Sequence, residues 1–383
     1  MNIEAVIGAN YGDEGKGLVT EYLCRSRPSP IVILSNGGSQ RGHTVHNKEL
    51  SCRHVFHHFG SGTLLGVPTI LSKTFLINPI TFVEEYHKLP TKPVVFRAPG
   101  CLIQFPGDMF TNQTLEKNRG ESKHGSCGWG IWETLVRNKD LRKITFEEFA
   151  NQDKDSQILT VKKCLNWQCM SRIYECSMDE TIFGYLMDDN FIDHFINDTM
   201  FMYQNTILLD TDKLTEIDWT KYGFNPETLI VENGQGLGLD QDYSTDNSPE
   251  FIHCTPSSCG LNGVIKALGE GNYKISANYV SRTYFTRHGN GPFPEEDMNV
   301  RFQDSTNHYN QYQGHLRFGK MSTDNFMKMQ KDRIGKDLNR HSDNVYTHRF
   351  IFTHCNEVKP DVCSVQGFIL SFSDNSRDLG KFL

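Results

Sequence analysis

A chain of 383 residues has length enough to bury a sizeable core, as one large domain or two. Its 37% hydrophobic and 22% charged residues, with a mean hydropathy of −0.49, describe a soluble enzyme, and no apolar run approaches a membrane span. A net charge of −7 argues against general nucleic-acid binding, and 11 cysteines without a Cys-x-x-Cys pair argue for reduced thiols in a cytosol, not a disulfide or zinc framework.

The chain starts directly into a strand, so no signal peptide is expected. Ala5-Val6-Ile7 reads as buried β, and apolar Leu18, Val19, Tyr22 and Leu23 have helical spacing. Between them lies the glycine-rich turn Gly8 to Gly17, whose N–H groups can close on phosphate oxygens at the positive end of the helix, with Lys16 adding a point charge. The usual phosphate loop has glycine five residues before its Gly-Lys pair, and here that residue is Asn10. The variant also carries two acids, Asp13 and Glu14, which repel phosphate unless a cation or a proton transfer uses them.

Ile31 to Ser35 reads as a second buried strand, and His43 follows in a loop where open α/β sheets place ligands. His54, His57 and His58 lack a carboxylate or cysteine at a metal-ligand spacing and are read as strand and loop packing. A strand at Leu76-Ile77, an amphipathic helix over 80–86 and a short strand at Pro93 to Phe96 come next. A second glycine-dense loop spans Arg119 to Ile131. Helical spacing runs from about Lys162 to Gln204, with a break expected between Asp188 and Asp198, and Met170, Met178, Met187, Met200 and Met202 are expected as core filler. Thr206 to Leu209 and Leu229 to Val231 read as further buried strands, and Ile351 to Asn356 as a strand ending in a loop. The expected fold is α/β: a mostly parallel central sheet with a variant phosphate-binding loop, flanking helices and a helical subdomain. One domain over 1–383 is expected, with the helical insertion at about 162–205.

Four stretches, in order, resemble the adenylosuccinate synthetase family, which joins L-aspartate to a 6-oxopurine nucleotide with a nucleoside triphosphate. They are Gly12 to Gly17, Gly37 to Thr44, Val231 to Gly236, and Thr286 to Pro294, the last having His288 where the family has valine. The resemblance implies Asp13, His43 and Gln235 as catalytic residues, and Gly12, Glu14, Gly15, Lys16, Gly17 and Asn356 as triphosphate contacts. It implies Ser126, Cys127, Arg137, Gln235 and Thr255 around the purine monophosphate, with Ser257 and Ser258 weaker candidates. Cys127 replaces a threonine, and Trp129 an arginine. Arg137, or alternatively Arg142, stands where the family sends an arginine across a homodimer interface. Arg317 and His315 fall in the family's aspartate loop, where His315 replaces arginine. Mg²⁺ is the implied cofactor, with Asp13 and the Gly42 carbonyl as ligands.

The implied chemistry has Asp13 remove the purine N1 proton, the 6-oxyanion attack the γ-phosphorus, His43 stabilise that oxygen and the aspartate amine displace phosphate. The donor stays open between GTP and ATP or dATP, because Asn356 replaces an aspartate that reads guanine. The acceptor stays open between IMP and dGMP: the diverged loops resemble bacteriophage relatives acting on dGMP, yet many of those carry a smaller residue than Asp13. A cytoplasmic enzyme follows, in the host cytoplasm if the protein is viral, with neither nucleic acid nor membrane as partner. A nucleotide-binding switch or NTPase, or an inactive homologue, are the alternatives.

Overall fold

The computed structural model describes residues 1–174, 176–243, 251–302, 304, 306–358, 368–371, 373–374 and 376–379. Among the described residues nine strands form the central sheet: β1 (Asn2–Gly8), β2 (Pro30–Leu34), β5 (Thr69–Leu71), β6 (Val95–Arg97), β7 (Ile207–Leu208), β8 (Thr228–Glu232), β9 (Ile275–Arg282), β12 (Val345–Thr353) and β13 (Phe368–Leu370). Their order is β13-β12-β9-β1-β8-β2-β5-β6-β7, and every adjacent pair is parallel. Antiparallel β3 (His43–Asn47) and β4 (Cys52–Phe56) form a separate pair, as do β10 (Phe285–Arg287) and β11 (Arg317–Gly319).

Parallel sheets survive when both faces are covered, so their strands read as apolar runs. Ala5, Val6, Ile7, Ile33, Leu34, Ile230 and Val231 are accordingly buried. The covering helices are α1 (Lys16–Ser26), α2 (Pro79–Lys88), α3 (Pro106–Arg119), α4 (Ile131–Asp140), α5 (Phe146–Ala150), α6 (Lys154–Ser171), α7 (Glu180–Leu186), α8 (Asp189–Gln204), α9 (Leu261–Leu268), α10 (Thr323–Met329) and α11 (Gly335–Arg340). Start signals are visible locally: Asn78 caps α2 by accepting from the Thr81 N–H, and Pro79 occupies the first turn, where a missing N–H costs nothing.

Four expectations need correction. The turn between helices falls before Asp188, which caps α8 through its carboxylate, and Asn190, Asp193 and Asp198 lie within that helix. Met170 is 77% exposed rather than core filler. β7 forms the outer edge of the sheet, with Ile207 and Leu208 exposed, because only one neighbour flanks it. Leu76-Ile77 makes only an isolated bridge to Ile103.

The carboxyl ends of five neighbouring strands, β12, β9, β1, β8 and β2, feed loops that converge on one face. Open α/β sheets place ligands there. The β3–β4 pair closes the face from above α1. A Cβ on Gly17 would stand 2.8 Å from the Thr44 carbonyl oxygen, so that approach requires glycine.

Candidate active site

These loops enclose a cavity of about 950 Å³. The turn after β1 forms one wall, and its shape depends on Glu14. The Glu14 carboxylate accepts from the Asn10 N–H at 3.1 Å and the Gly12 N–H at 2.8 Å, and pairs with Lys16 Nζ at 2.6 Å. It lies so close to Gly8 and Gly236 that a Cβ on either would fall 2.5–2.6 Å from a carboxylate oxygen. The Glu14 carboxylate is therefore turned into the loop as its internal brace, and Glu14 can offer a ligand only its backbone. Asn10, where a conventional loop has glycine, is an anchor: its amide donates to Ser281 Oγ at 2.8 Å and accepts from Arg333 at 3.1 Å. Gly15 precedes α1 with φ of 90°, so Lys16 begins the helix and its free N–H groups face the cavity end.

Asp13 projects from this turn in the left-handed region, at φ of 60°, which non-glycine residues seldom occupy. Gln235 (φ 54°) and His354 (φ 59°) line the same cavity in the same conformation. Such strained backbone persists where the surroundings over-determine it, and it gathers at functional sites. For Asp13 the surroundings are explicit. His288 Nε2 lies 3.0 Å from Asp13 Oδ2, Arg282 Nε donates to the Asp13 carbonyl oxygen, and Thr286 Oγ1 donates to the Gly12 carbonyl oxygen at 2.9 Å. Burial alone would raise the Asp13 carboxyl. The His288 ring, with Arg282 and Lys16 behind it, outweighs that and holds it well below the usual carboxylate range. His288 is raised in turn: burial opposes its charge, and Asp13, Asn307 and Asp304 favour it.

His43 opens β3 across the cavity, and its Nδ1 lies 2.5 Å from Glu232 Oε1 at the buried end of β8. Glu232 also receives the Ser61 N–H at 3.1 Å and the Ser61 hydroxyl, and Arg41 approaches at 3.6 Å. Burial penalises the Glu232 charge, yet His43, Arg41 and Ser61 together bring it down to about 2, so it is ionised at neutral pH. An ionised acceptor at Nδ1 requires the proton there, so Nε2 donates only when the ring is cationic. Burial is the largest influence on the ring and, with Arg41, brings it down to about 4 despite Glu232.

Gln235 Oε1 receives Asn36 Nδ2 at 3.4 Å and Cys259 Sγ at 3.7 Å, which leaves its NH₂ end as the group available to the cavity. Ser126, Cys127 and Thr255 also line the cavity, as do Arg119, His124 and His253. Ser126 Oγ pairs with Asn112, and burial pushes the Cys127 thiol up to about 11, leaving it a neutral, weak donor. Asn356 sits exposed on the rim, and Gly42 lines the wall beside His43. His57 also lines the cavity. His54 faces Glu85 at 3.3 Å, and His58 Nε2 accepts from the Asn78 N–H at 3.0 Å, both as packing.

Three expected contacts lie elsewhere. Arg137 is fully buried on the inner face of α4, donating to Asp108 Oδ1 at 2.9 Å, Asp108 Oδ2 at 3.0 Å and the Ile103 carbonyl at 2.7 Å, with its guanidinium 4.5 Å over the Phe105 ring. It cannot reach across an interface. Arg142 is exposed after the same helix. Arg137→Met should therefore act on stability: stranding a buried partner costs about 3–5 kcal/mol. Urea unfolding should show that loss with KM for a purine monophosphate unchanged, and a raised KM at full stability would return Arg137 to phosphate binding. Arg317 is clasped by both oxygens of Glu296 and donates to the Gly289 and Gly291 carbonyls at 2.9 and 2.7 Å. His315 is exposed, its ring 4.9 Å from Tyr309. Neither lines the cavity, because the β10–β11 pairing and Glu296 turn this segment away. Arg53, Thr306, Asn307, Asn310 and Gln313 line it there instead.

Arg41, Glu232, Arg282 and Asp304 were not singled out from the sequence, and His288 entered only as a departure from the family's valine. Glu232 left one signal, an acid closing the otherwise apolar Leu229-Ile230-Val231 run.

An open parallel sheet carrying a variant phosphate loop at its carboxyl edge defines an α/β protein of the nucleotide-binding kind. A family model described as adenylosuccinate synthetase matches residues 5–319, and the chain belongs to that family. It is 27% identical to the adenylosuccinate synthetase of Wigglesworthia glossinidia brevipalpis over 303 residues, covering 76% of this chain and 64% of the relative. The enzyme of Schistosoma japonicum is 27% identical over 311 residues, covering 77% and 64%. The match thus spans just under two thirds of these relatives. Among solved structures, fully ligated adenylosuccinate synthetase from Plasmodium falciparum superposes with a TM-score of 0.65 at 19% identity, covering 93% of this chain and 77% of that one. The cyanophage S-2L succinoaminodeoxyadenylate synthetase PurZ, bound to dGMP and dATP as an energy donor, gives 0.62 at 13% identity, covering 99% and 94%. At these identities the likeness is one of fold.

Proposed function

We propose that this chain is a ligase that joins L-aspartate to C6 of a 6-oxopurine nucleoside monophosphate, driven by a nucleoside triphosphate through a 6-phosphoryl intermediate. The observation that carries this reading is the convergence of Asp13, the Lys16 loop, His43 backed by Glu232, and Gln235 on one cavity. A switch or simple NTPase has use for the phosphate loop but none for a charge-backed histidine and an amide facing it.

The purine 6-oxygen is a poor leaving group, so the oxygen must first be activated. Asp13 takes the N1 proton, and the 6-oxyanion that forms is met by the His43 Nε2–H and the Gln235 amide. It attacks the γ-phosphorus in line. The loop N–H groups and Lys16 neutralise the phosphoryl oxygens, where most of the stabilisation in such transfers arises. The aspartate amine then displaces phosphate.

Mg²⁺ fits the residues present. Among the described residues no group of three His, Cys, Asp or Glu could hold a metal, and Mg²⁺ characteristically takes one or two protein oxygens together with phosphates and water. Asp13 and the Gly42 carbonyl would hold it. When bound it would supply positive charge that offsets the triphosphate's negative charge.

The acceptor is IMP or dGMP. Asn356, which presents both a donor and an acceptor where an aspartate would suit guanine, and the fold shared with a dGMP- and dATP-bound enzyme favour dGMP with ATP or dATP. Asp13 speaks for IMP. Incubating each acceptor with aspartate and each triphosphate, then weighing the products, decides it: a succinyl adduct of at least one acceptor is expected. Phosphate release without any adduct overturns the ligase reading. We read residues 1–383 as one domain. The expected homodimer loses the support that Arg137 was to provide. Among the described residues no helix is long and apolar enough to cross a membrane.

A further inference from the structure

The acid at the centre of this site does not stand alone, and what holds it departs from the family pattern. His288 occupies the position where the resembling segment of the family has valine, a residue that can hold nothing by hydrogen bonding. Its Nε2 faces two acceptors, Asp13 Oδ2 at 3.0 Å and Asn307 Oδ1 at 3.3 Å, so Nε2 carries a proton shared between them. Asn307 Nδ2 donates to Asp304 Oδ2 at 2.9 Å, and Arg282 Nη2 donates to the same oxygen at 3.0 Å. Arg282 Nε then returns to the Asp13 carbonyl oxygen, which closes a ring of five residues: Asp13, His288, Asn307, Asp304 and Arg282. Asp304 is fixed in addition by the Thr306 and Asn307 N–H groups, each at 2.9 Å. The ring thus grips Asp13 at both its backbone and its carboxylate. His288 Nδ1 is buried and has no partner among the described residues, so Nε2 is the tether of the imidazole.

We propose that His288 is a positioning residue, which holds one Asp13 carboxylate oxygen so that the other is presented to the reacting purine. The inference rests on the proposed function for what Asp13 does, but not for how it is held. A carboxylate on a strained turn has two or three accessible rotamers, and only one aims an oxygen at a given N–H. A mis-aimed base costs rate, not affinity, because the nucleotide is bound by other groups. The geometry also explains how an acid is tolerated beside a polyphosphate site: it arrives already hydrogen-bonded to a half-buried partner that is itself backed by Asp304.

The test compares His288→Val and His288→Gln with wild type in steady-state turnover. Partners behind a functional group typically contribute 10–100-fold. His288→Val should therefore lower kcat by roughly 10–100-fold with KM for the purine nucleotide little changed. Glutamine, which can place an N–H near the position of Nε2, should recover part of the loss. Asn307→Leu should lower kcat in the wild-type background and add little to His288→Val, as coupled members of one network do. A His288→Val enzyme with wild-type kcat, or one altered only in KM, overturns the proposal. If the wild-type protein makes no succinyl product, the function fails and positioning is judged from crystals of the variant. Asp13 should then leave its present rotamer in His288→Val, and an unchanged carboxylate refutes the role of His288.

Discussion

Asp13→Ala is expected to abolish turnover while nucleotide binding survives. A positioned base contributes roughly 10²–10⁴-fold, and under the proposed function the same carboxylate would also hold Mg²⁺, so the loss should sit at or above the upper end. Binding should persist because Lys16, the loop residues and Gln235 line the cavity independently of that side chain and under the proposed function are the groups that hold the nucleotides. The protonation state at rest sharpens the expectation. His288, Arg282 and Lys16 keep the Asp13 carboxyl well below its ordinary range, which makes it a weak base in the empty site. Triphosphate and purine monophosphate bring negative charge alongside it. Titration calorimetry should give nucleotide affinities near wild type for Asp13→Ala, and product assays should give next to nothing. Substantial residual turnover would remove Asp13 from the base role.

The second large effect is expected at the His43–Glu232 pair. His43→Asn should lower kcat by roughly 10²–10⁴-fold, the range for a lost general acid. Glu232→Gln should reproduce much of that loss although Glu232 does not line the cavity. The reason lies in the proton. With Glu232 ionised at about 2, Nδ1 carries the hydrogen, and Nε2 can donate only from the imidazolium. The unliganded ring titrates near 4 and is neutral at pH 7, so incoming phosphate charge must raise it before it can act. A glutamine at 232 removes the negative charge that supports that rise. Nuclear magnetic resonance of the His43 ring should show its pKa climb on nucleotide binding in wild type and climb less in Glu232→Gln. An enzyme whose His43 pKa does not move on binding would sink this account, as would a Glu232→Gln variant that folds normally and turns over at the wild-type rate.

Much was legible without coordinates. The buried strands β1, β2 and β8 follow from short apolar runs, and α1 and α2 from helical spacing, a cap and a proline, because these are local consequences of which side chains leave water. The glycine-rich turn was legible because backbone approach to phosphate restricts the residue types there, whereas Asp13, His43 and Gln235, which line one cavity, were singled out through the resemblance to the family. What a side chain faces after folding is another matter. Arg137 looked like a phosphate ligand and is a buried clasp on Asp108. Arg317 looked like a carboxylate clamp for substrate and is spent on Glu296. Glu14 looked like a ligand contact and is the brace of its own loop. In each case a charge found an opposite charge inside the chain, and the partner lies 2 to 29 residues away in sequence. Glu232 behind His43, and His288 with Asp304 behind Asp13, are brought together over separations of 189 residues and more than 270. The sequence by itself determined which chemistry the loops could support; only the tertiary structure decided which charges stay free to perform it, because pairing depends on distances of a few ångströms that no spacing along the chain encodes.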